Sequence, residues 1–527
     1  MTGLGSGPVR RARRAASRPL HDAALCLGGD LDADLDELGS AVGSVFGSVE
    51  LVGETSPGDH LRRTGPFDVI VSAAPAVDLD RLWRAAHPHL RNGGVFVHIA
   101  SRSERRDVAV WARGLSELAA DRWASMVGAT RSRAGVTTVV KRGTDYVLVS
   151  HHEANDILRH RRDRVTVEVL LELPAGSYEH RADVTSHDTN VEPAALLTTI
   201  DHPVQRLRHY TGSLVVANGS LVYADQVILP DSFRYYAFKP GTKRMQRSVP
   251  GFARLDAKRA ATRRLEGNYY LLDSFFPGHY GHHTTETISR LWGWDEAKRR
   301  FPDLKALYTR WGGDKREETF EAETFVAYGI DPSDLVVVRK PVEVDSLVTA
   351  TNMWHNHEPH FIHPDMQAIW TRLGDALADV PETPPRRVFV SRSGGDKRGT
   401  HNLSAVEDYF AAHGFDIVYP EQHSLARQAG LMREAHVVAG IAGSAMFNVM
   451  FARNLRHLIV LASDSYTARN EHLFSSLLGG RLDYFWSPAD VPHPPRGWSE
   501  EAFTSSWTFD FGRHRQALDE LMARLDD

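Results

Sequence analysis

From residue 386 to residue 486 the sequence alternates short apolar runs with segments of helical length, and this constrains the fold more than any other feature. The runs at 388–391, 416–419, 436–439 and 457–461 are strand-like and rich in Val, Ile and Phe. Helical stretches are expected from 404 onward, at 424–434 and at 444–453. Ser404 and Glu407 read as an S-x-x-E capping box for the first of them. Strands separated by helices of this length predict right-handed crossovers and a parallel sheet. In such sheets ligands sit at the carboxyl ends of the strands.

The remainder divides by pattern. A chain of 527 residues is too long for one ordinary core, so several domains are expected. Residues 1–20 carry Arg10, Arg11, Arg13, Arg14 and Arg18 and read as a disordered basic tail. The sharper alternative is a peripheral contact with an anionic membrane surface. No apolar core of a signal peptide follows, because His21 and Asp22 come next. Residues 21–142 read as a Rossmann-like module: a buried strand at 67–72, a helix near 79–90, then a turn at 91–94 into a strand at 95–98. The layout resembles the second half of a class I methyltransferase fold, with Gly28-Gly29-Asp30 as its nearest candidate for a cofactor loop. Residues 143–380 mix strands and helices, and Asn218-Gly219 signals a two-residue hairpin. Pro381, Pro384 and Pro385 then form a stiff linker to the module at 386–527.

Bulk properties remove some classes. The net charge of −5 gives no electrostatic reason to expect nucleic acid as a partner. The single cysteine, Cys26, allows no intramolecular disulfide framework, which suits a reducing compartment. No apolar run reaches the roughly 18 residues of a membrane span. A cytoplasmic location is expected, with the inner membrane face as its extension.

Three groups of residues could carry chemistry. Gly440-Ile441-Ala442-Gly443-Ser444-Ala445 runs from a strand through small residues into a helix, so backbone N–H groups and the helix terminus could meet a diphosphate. Ser444 could cap that helix, donate to a phosphate, or both. Arg392 and Arg398 follow the first strand, where guanidinium groups could stabilise a departing anion or simply be solvated. His282 and Glu286 lie four residues apart, on one face of a helix; either could act as a base, the carboxylate could fix the imidazole, or both could form a plain surface pair. A fourth cluster, His355, His357, His360 and His363, lacks metal-ligand spacing and is broken by Pro359 and Pro364, so no metal is expected there.

Taken together, these segments resemble glycosyltransferase family 61. The likeness rests on residues 280–291 with His282, Glu286 and Arg290, on Ser391-Arg392, and on Arg398 and Asn402. It continues through Gly414-Phe415, Pro420-Glu421 and Gln428 to Gly440, Gly443 and Asn448. Ala442, Ala445 and Leu403 depart from the family's usual residues. The resemblance implies an α/β protein of GT-B type, two Rossmann-like domains facing a cleft, with the N-terminal module as an extra, degenerate methyltransferase-like domain. It also implies inversion, a nucleotide-sugar co-substrate, no cofactor or obligatory metal, and a glycan or lipid-carrier-linked acceptor in surface-polysaccharide synthesis. Catalysis would fall to His282 and Glu286. Donor binding would fall to Arg392, Arg398, Asn402, Glu421, Gln428, Gly443, Ser444 and Asn448. Two alternatives stand beside it: a bifunctional methyltransferase–glycosyltransferase, and a non-catalytic glycan-binding relative.

Overall fold

The computed structural model describes residues 22–26, 48–52, 57–72, 79–100, 102–117, 126–133, 136–161, 164–187, 196–233, 245–247, 250–255, 261–310, 319–393 and 398–526. The basic tail and Gly28-Gly29-Asp30 lie outside them. The protein is mixed α/β and forms two compact units. The first falls within Met1–Glu168, Tyr210–Glu266 and Pro341–Ser346, the second within Val169–His209, Gly267–Lys340 and Leu347–Asp527.

The first unit contains a six-stranded sheet in the order Ser48–Val52, Asp22–Cys26, Phe67–Ser72, Leu90–Ile99, Val136–Lys141, Val127–Arg133. The first four strands are parallel and the last two form an antiparallel edge. Every residue of Phe67–Ser72 is buried, as a strand covered on both faces requires. The turn expected at 91–94 is instead an irregularity inside Leu90–Ile99, where the register shifts against Phe67–Ser72 and Gly93 adopts φ 80°. The hairpin at Asn218-Gly219 forms, but with a three-residue loop: Ala217 pairs with Leu221, and Gly219 and Ser220 take positive φ.

The second unit is built on a fully parallel sheet. Its strands are β1 (Ala182–His187), β2 (Arg387–Val390), β3 (Asp416–Val418), β4 (Val437–Ile441), β5 (His457–Ser463) and β6 (Gly480–Ser487). Their order is β1-β6-β5-β4-β2-β3, with every neighbour parallel. Five of these strands come from the alternating segment; β1 joins from some 200 residues upstream, outside the 386–527 module expected from the sequence. Helices α2 (Leu403–Ala412), α3 (Leu425–Arg433), α4 (Asn470–Leu478) and α5 (Phe511–Asp526) complete the frame. Val406 and Phe410 of α2 and Leu518, Leu521 and Met522 of α5 pack on Phe389, Val437, Ala439, Ile441, Ile459 and Leu461. All residues of β4 and β5 are buried, which explains their largely apolar character.

Two local expectations fail. Glu407 does not close a capping box; it accepts hydrogen bonds from Ser391 Oγ (2.5 Å) and Tyr419 OH (2.8 Å), tying α2 to the ends of β2 and β3. Asn402 holds the N-cap position without a capping bond. The segment after Gly443 is a 3-10 helix, Ser444–Phe451, and Ser444 makes no capping hydrogen bond either. Among the described residues no helix is long and apolar enough to cross a membrane.

Candidate active site

The sheet order sets the site. Starting at β2, the chain moves outward to β3, then crosses back to β4, so β2 and β4 are neighbours whose connections depart in opposite directions. This is the topological switch point where open α/β sheets hold ligands, at the carboxyl ends of the strands. Arg392 follows β2 and Gly443-Ser444 follows β4.

At Gly443 φ is 141°, a conformation that favours glycine. A methyl group there would stand 3.5 Å from Arg398 Nη2. The turn therefore lies directly beside the Arg398 guanidinium. That guanidinium rests 5.4 Å from the rings of both Tyr466 and Phe503, which stack on each other at 5.8 Å. Among the described residues it makes no hydrogen bond or ion pair, and its Nε is buried without a partner. Arg398 itself has φ 54°, and its backbone carbonyl accepts from Arg392 Nη2. Burial and the charge of Arg398 push the Arg392 guanidinium down to about 10. Arg392 thus holds the Arg398 loop in place as well as adding charge.

The Gly443 N–H, expected to be open to a ligand, is donated to Glu471 Oε1 at 2.8 Å. Glu471 is fully buried on α4 and also accepts from Tyr466 OH (3.3 Å to each oxygen). Burial pushes its carboxyl up to about 7; Gly443 N–H, Arg398 and Tyr466 act in the opposite direction. The native state therefore keeps a proton that the unfolded chain has lost above its ordinary carboxyl range. The resulting stability is full below about pH 4.5 and is lost as pH rises through about 7. Glu471→Gln is expected to remove that dependence: relative to the variant, the wild type should lose on the order of 3 kcal/mol between pH 4.5 and 8. Urea unfolding of both proteins across this range measures it; parallel pH curves would refute it.

A helical run at 280–300, called α1 here, brings in the second half of the site. It opens with one α-turn (Tyr280–His282), widens into a π-turn (His283–Thr287), tightens to 3-10 (Ile288–Gly293) and ends as α (Trp294–Arg300). The threonines favour the widened turn: Thr285 Oγ donates to Gly281 O (2.7 Å) and Thr284 Oγ to Tyr280 O (3.1 Å). Such turns recur at functional sites. Here it carries Glu286, whose Oε1 lies 2.8 Å from Nδ1 of His282, the last residue of the preceding α-turn. Glu286 Oε2 accepts from the Phe275 N–H at 2.9 Å, so the carboxylate is fixed at both oxygens. Its side chain is 8% exposed against 22% for His282. An ionised carboxylate at Nδ1 places the imidazole proton there and the basic lone pair on Nε2.

The two halves meet. A methyl group at Gly281 would stand 3.0 Å from Ser444 Cβ and 3.3 Å from Phe447, so a glycine lets α1 approach the turn this closely without pushing these neighbours aside. Tyr280 OH donates to Asn448 Oδ1, Asn448 Nδ2 donates to Gln428 Oε1 (2.9 Å), and Gln428 Nε2 reaches Pro420 O (2.8 Å) and His423 O (2.9 Å). Asn448 and Gln428 are therefore a brace between α1, α3 and the turn. Asn402 is likewise engaged elsewhere, bonded through both ends of its amide to the backbone of Phe509 at 2.9 Å. Glu421 accepts from Ser393 Oγ at 2.7 Å. The Ser444 hydroxyl makes no hydrogen bond among the described residues and remains available at the turn.

His279, not singled out in the sequence, stands between the halves. Its ring centroid is 5.0 Å from that of His282. Burial, with His282 and Arg398 adding to it, pushes it down to about 4, although the residue as a whole is exposed. Its position three residues before His282, one helical turn away, was the available signal. Glu471 left a signal too, as a lone acid in the otherwise neutral run of α4.

The histidines at 355–363 form a short antiparallel pair, Trp354–His355 with Phe361–Ile362; His355 Nδ1 bonds Pro359 O at 2.8 Å. Among the described residues no group of three His, Cys, Asp or Glu side chains is placed to hold a metal ion.

Residues 280–459, about a third of the chain, match the profile of the family Glycosyltransferase 61. This segment holds α1, β2 to β4 and the turn at Gly443, and it carries a glycosyltransferase-family domain. No curated protein matches the sequence. Among solved structures, the MycE methyltransferase of the mycinamycin biosynthetic pathway is 15% identical, with a TM-score of 0.21, over 25% of this chain and 48% of its own. The chain thus spans about half the length of that protein. Phosphoethanolamine N-methyltransferase 2 of Haemonchus contortus is 9% identical, with a TM-score of 0.16, over 98% of this chain and 81% of its own. Likenesses this slight carry no argument about fold or activity.

Proposed function

We propose that this protein is an inverting glycosyltransferase that moves a sugar from a nucleotide-sugar donor to a glycan or carrier-linked acceptor. The observation that carries the reading is the His282–Glu286 pair held against the Gly443-Ser444 turn and Arg398 at the switch point of a parallel sheet. His282 Nε2 takes the proton of the acceptor hydroxyl, and Glu286 steadies the imidazolium that forms. The acceptor oxygen bonds to the anomeric carbon from the face opposite the diphosphate. The bond from that carbon to the diphosphate oxygen breaks, and its electron pair leaves with the diphosphate. Arg398, the Ser444 hydroxyl and the first amides of the 3-10 turn meet the growing negative charge.

This assignment narrows the donor set read from the sequence. Arg398 and Ser444 contact the diphosphate, Gly443 makes the room beside Arg398, Arg392 and Glu421 fix Arg398 and Ser393, and Asn402, Gln428 and Asn448 hold the frame. The doubly wound sheet supports reading the second unit as the donor-binding part of a GT-B enzyme. A cytoplasmic enzyme of surface-polysaccharide synthesis, working on carrier-linked acceptors at the membrane face, fits this chemistry.

A thermal-shift screen of UDP, GDP, CDP and ADP, followed by transfer assays with the matching sugar donors, tests the reading. One nucleoside diphosphate should raise the melting temperature by mass action. Its sugar donor should turn over, and chelators should leave that turnover intact because guanidinium groups supply the charge. The absence of both binding and turnover across the whole panel would reject the function.

A further inference from the structure

Between the end of β6 at Ser487 and the start of α5 at Phe511 the chain crosses the carboxyl edge of the sheet in a loop that ends on the buried anchors Trp507 and Phe509. This loop lies outside the residues matched by the family profile. It carries Trp498, whose 58% exposure exceeds that of any other large apolar side chain among the described residues. A single exposed apolar side chain is ordinary on a protein surface; what distinguishes Trp498 is its setting.

The loop is fixed rather than open to any position. His493 Nε2 donates to Ser465 O (3.0 Å), and His493 Nδ1 accepts from the Ser499 N–H (3.2 Å). Ser465 Oγ donates to Val491 O (3.2 Å), and the Val491 N–H reaches Ser505 Oγ (2.9 Å). Gly497, at φ 103°, turns the backbone just before Trp498. Preorganisation of this kind lowers the ordering cost of binding.

Its neighbours indicate the ligand. The Trp498 ring lies 5.7 Å from Phe503, and Phe503 lies 5.4 Å from the Arg398 guanidinium. An exposed flat apolar surface and a cation without an ion-pair partner among the described residues thus share one aromatic contact. That combination suits a molecule with a planar base at one end and phosphates at the other. We propose that Trp498 stacks on the base of the nucleoside diphosphate whose phosphates Arg398 receives. The proposal rests on the donor-site reading above and adds to it a nucleobase platform supplied by the C-terminal loop.

Calorimetric titration of the full-length protein with UDP, GDP, CDP and ADP, and separately with inorganic pyrophosphate, tests it. Base–aromatic stacking corresponds to roughly 10- to 100-fold in affinity. Trp498→Ala should weaken the preferred nucleoside diphosphate by about that factor, leave pyrophosphate affinity unchanged, and keep the wild-type melting temperature. Trp498→Phe should restore most of the loss. Unchanged nucleoside diphosphate affinity in Trp498→Ala overturns the platform, and a simultaneous rise in acceptor KM would assign the ring to the acceptor sugar instead. Equal weakening of pyrophosphate also overturns it, because the loop would then serve the phosphates. A wild-type protein that binds neither class of probe defeats the donor reading, and this proposal with it.

Discussion

Arg398→Ala is expected to fold normally and to lose sugar transfer by about three orders of magnitude in kcat. The size follows from what the guanidinium faces. It lies next to the Gly443 turn, over two stacked aromatic rings, and makes no ion pair among the described residues. A preorganised charge of this kind acts where the leaving diphosphate gains negative charge, and removing one such group costs roughly 10²- to 10³-fold or more. Arg398→Lys keeps the charge but not the two-pronged geometry, so it should recover only part of the loss. A readout independent of turnover follows from His279, which Arg398 helps to push down to about 4. In Arg398→Ala the His279 titration followed by NMR should move upward. Arg392→Ala should also impair transfer, but by displacing the loop, since Arg392 bonds the Arg398 carbonyl. If Arg398→Ala retains more than about a tenth of wild-type kcat, the diphosphate is held elsewhere.

What the sequence revealed of this arrangement follows a physical line. Strand β6, which carries Arg481 and Asp483, was not read, and β3 was read from a short run although only its last residue is buried; β2, β4 and β5 were legible because strands covered on both faces are largely apolar. β1 was not, because it lies at the sheet edge, reads Ala-Asp-Val-Thr-Ser-His, and has its partner β6 some 300 residues away. The i, i+4 spacing of His282 and Glu286 gave their contact correctly, since that pairing is local to one helix. The π-turn beneath them was not readable, as it depends on where the threonine hydroxyls find carbonyls. The Ser404–Glu407 box failed for a related reason: Ser391 and Tyr419 offered the carboxylate hydrogen bonds that no local pattern encodes. Likewise, Gly443 was visible as a turn glycine, but Glu471, which takes its N–H, lies 28 residues later in sequence. By sequence, His282 and Glu286 fall in the 143–380 segment, apart from the 386–527 module. The structure puts them in the same compact unit as the turn, with Gly281 against Ser444.

That shared location makes Glu286→Gln the sharpest test of the chemistry. Both carboxylate oxygens are engaged, one by the Phe275 N–H and one by His282 Nδ1. A glutamine of the same shape can still accept from Phe275 through its carbonyl oxygen. Its NH2 group then faces Nδ1 and donates to it. The imidazole is forced into the other tautomer, with the proton on Nε2, where the acceptor hydroxyl requires a lone pair. General-base assistance of this kind contributes roughly 10²- to 10⁴-fold, so kcat should fall by about that factor. Nucleoside diphosphate affinity should hold, because neither residue touches the diphosphate in this scheme. His282→Ala should fall at least as far, and the double variant little further, since the two side chains act as one unit. Steady-state kinetics with a saturating donor, alongside calorimetric titration of the nucleoside diphosphate, separates the possibilities. If His282→Ala is inactive while Glu286→Gln is not, the imidazole is the base and its tautomer is set by something other than Glu286. If both variants turn over freely, the base is not on this face of α1, and His279 becomes the group to replace next.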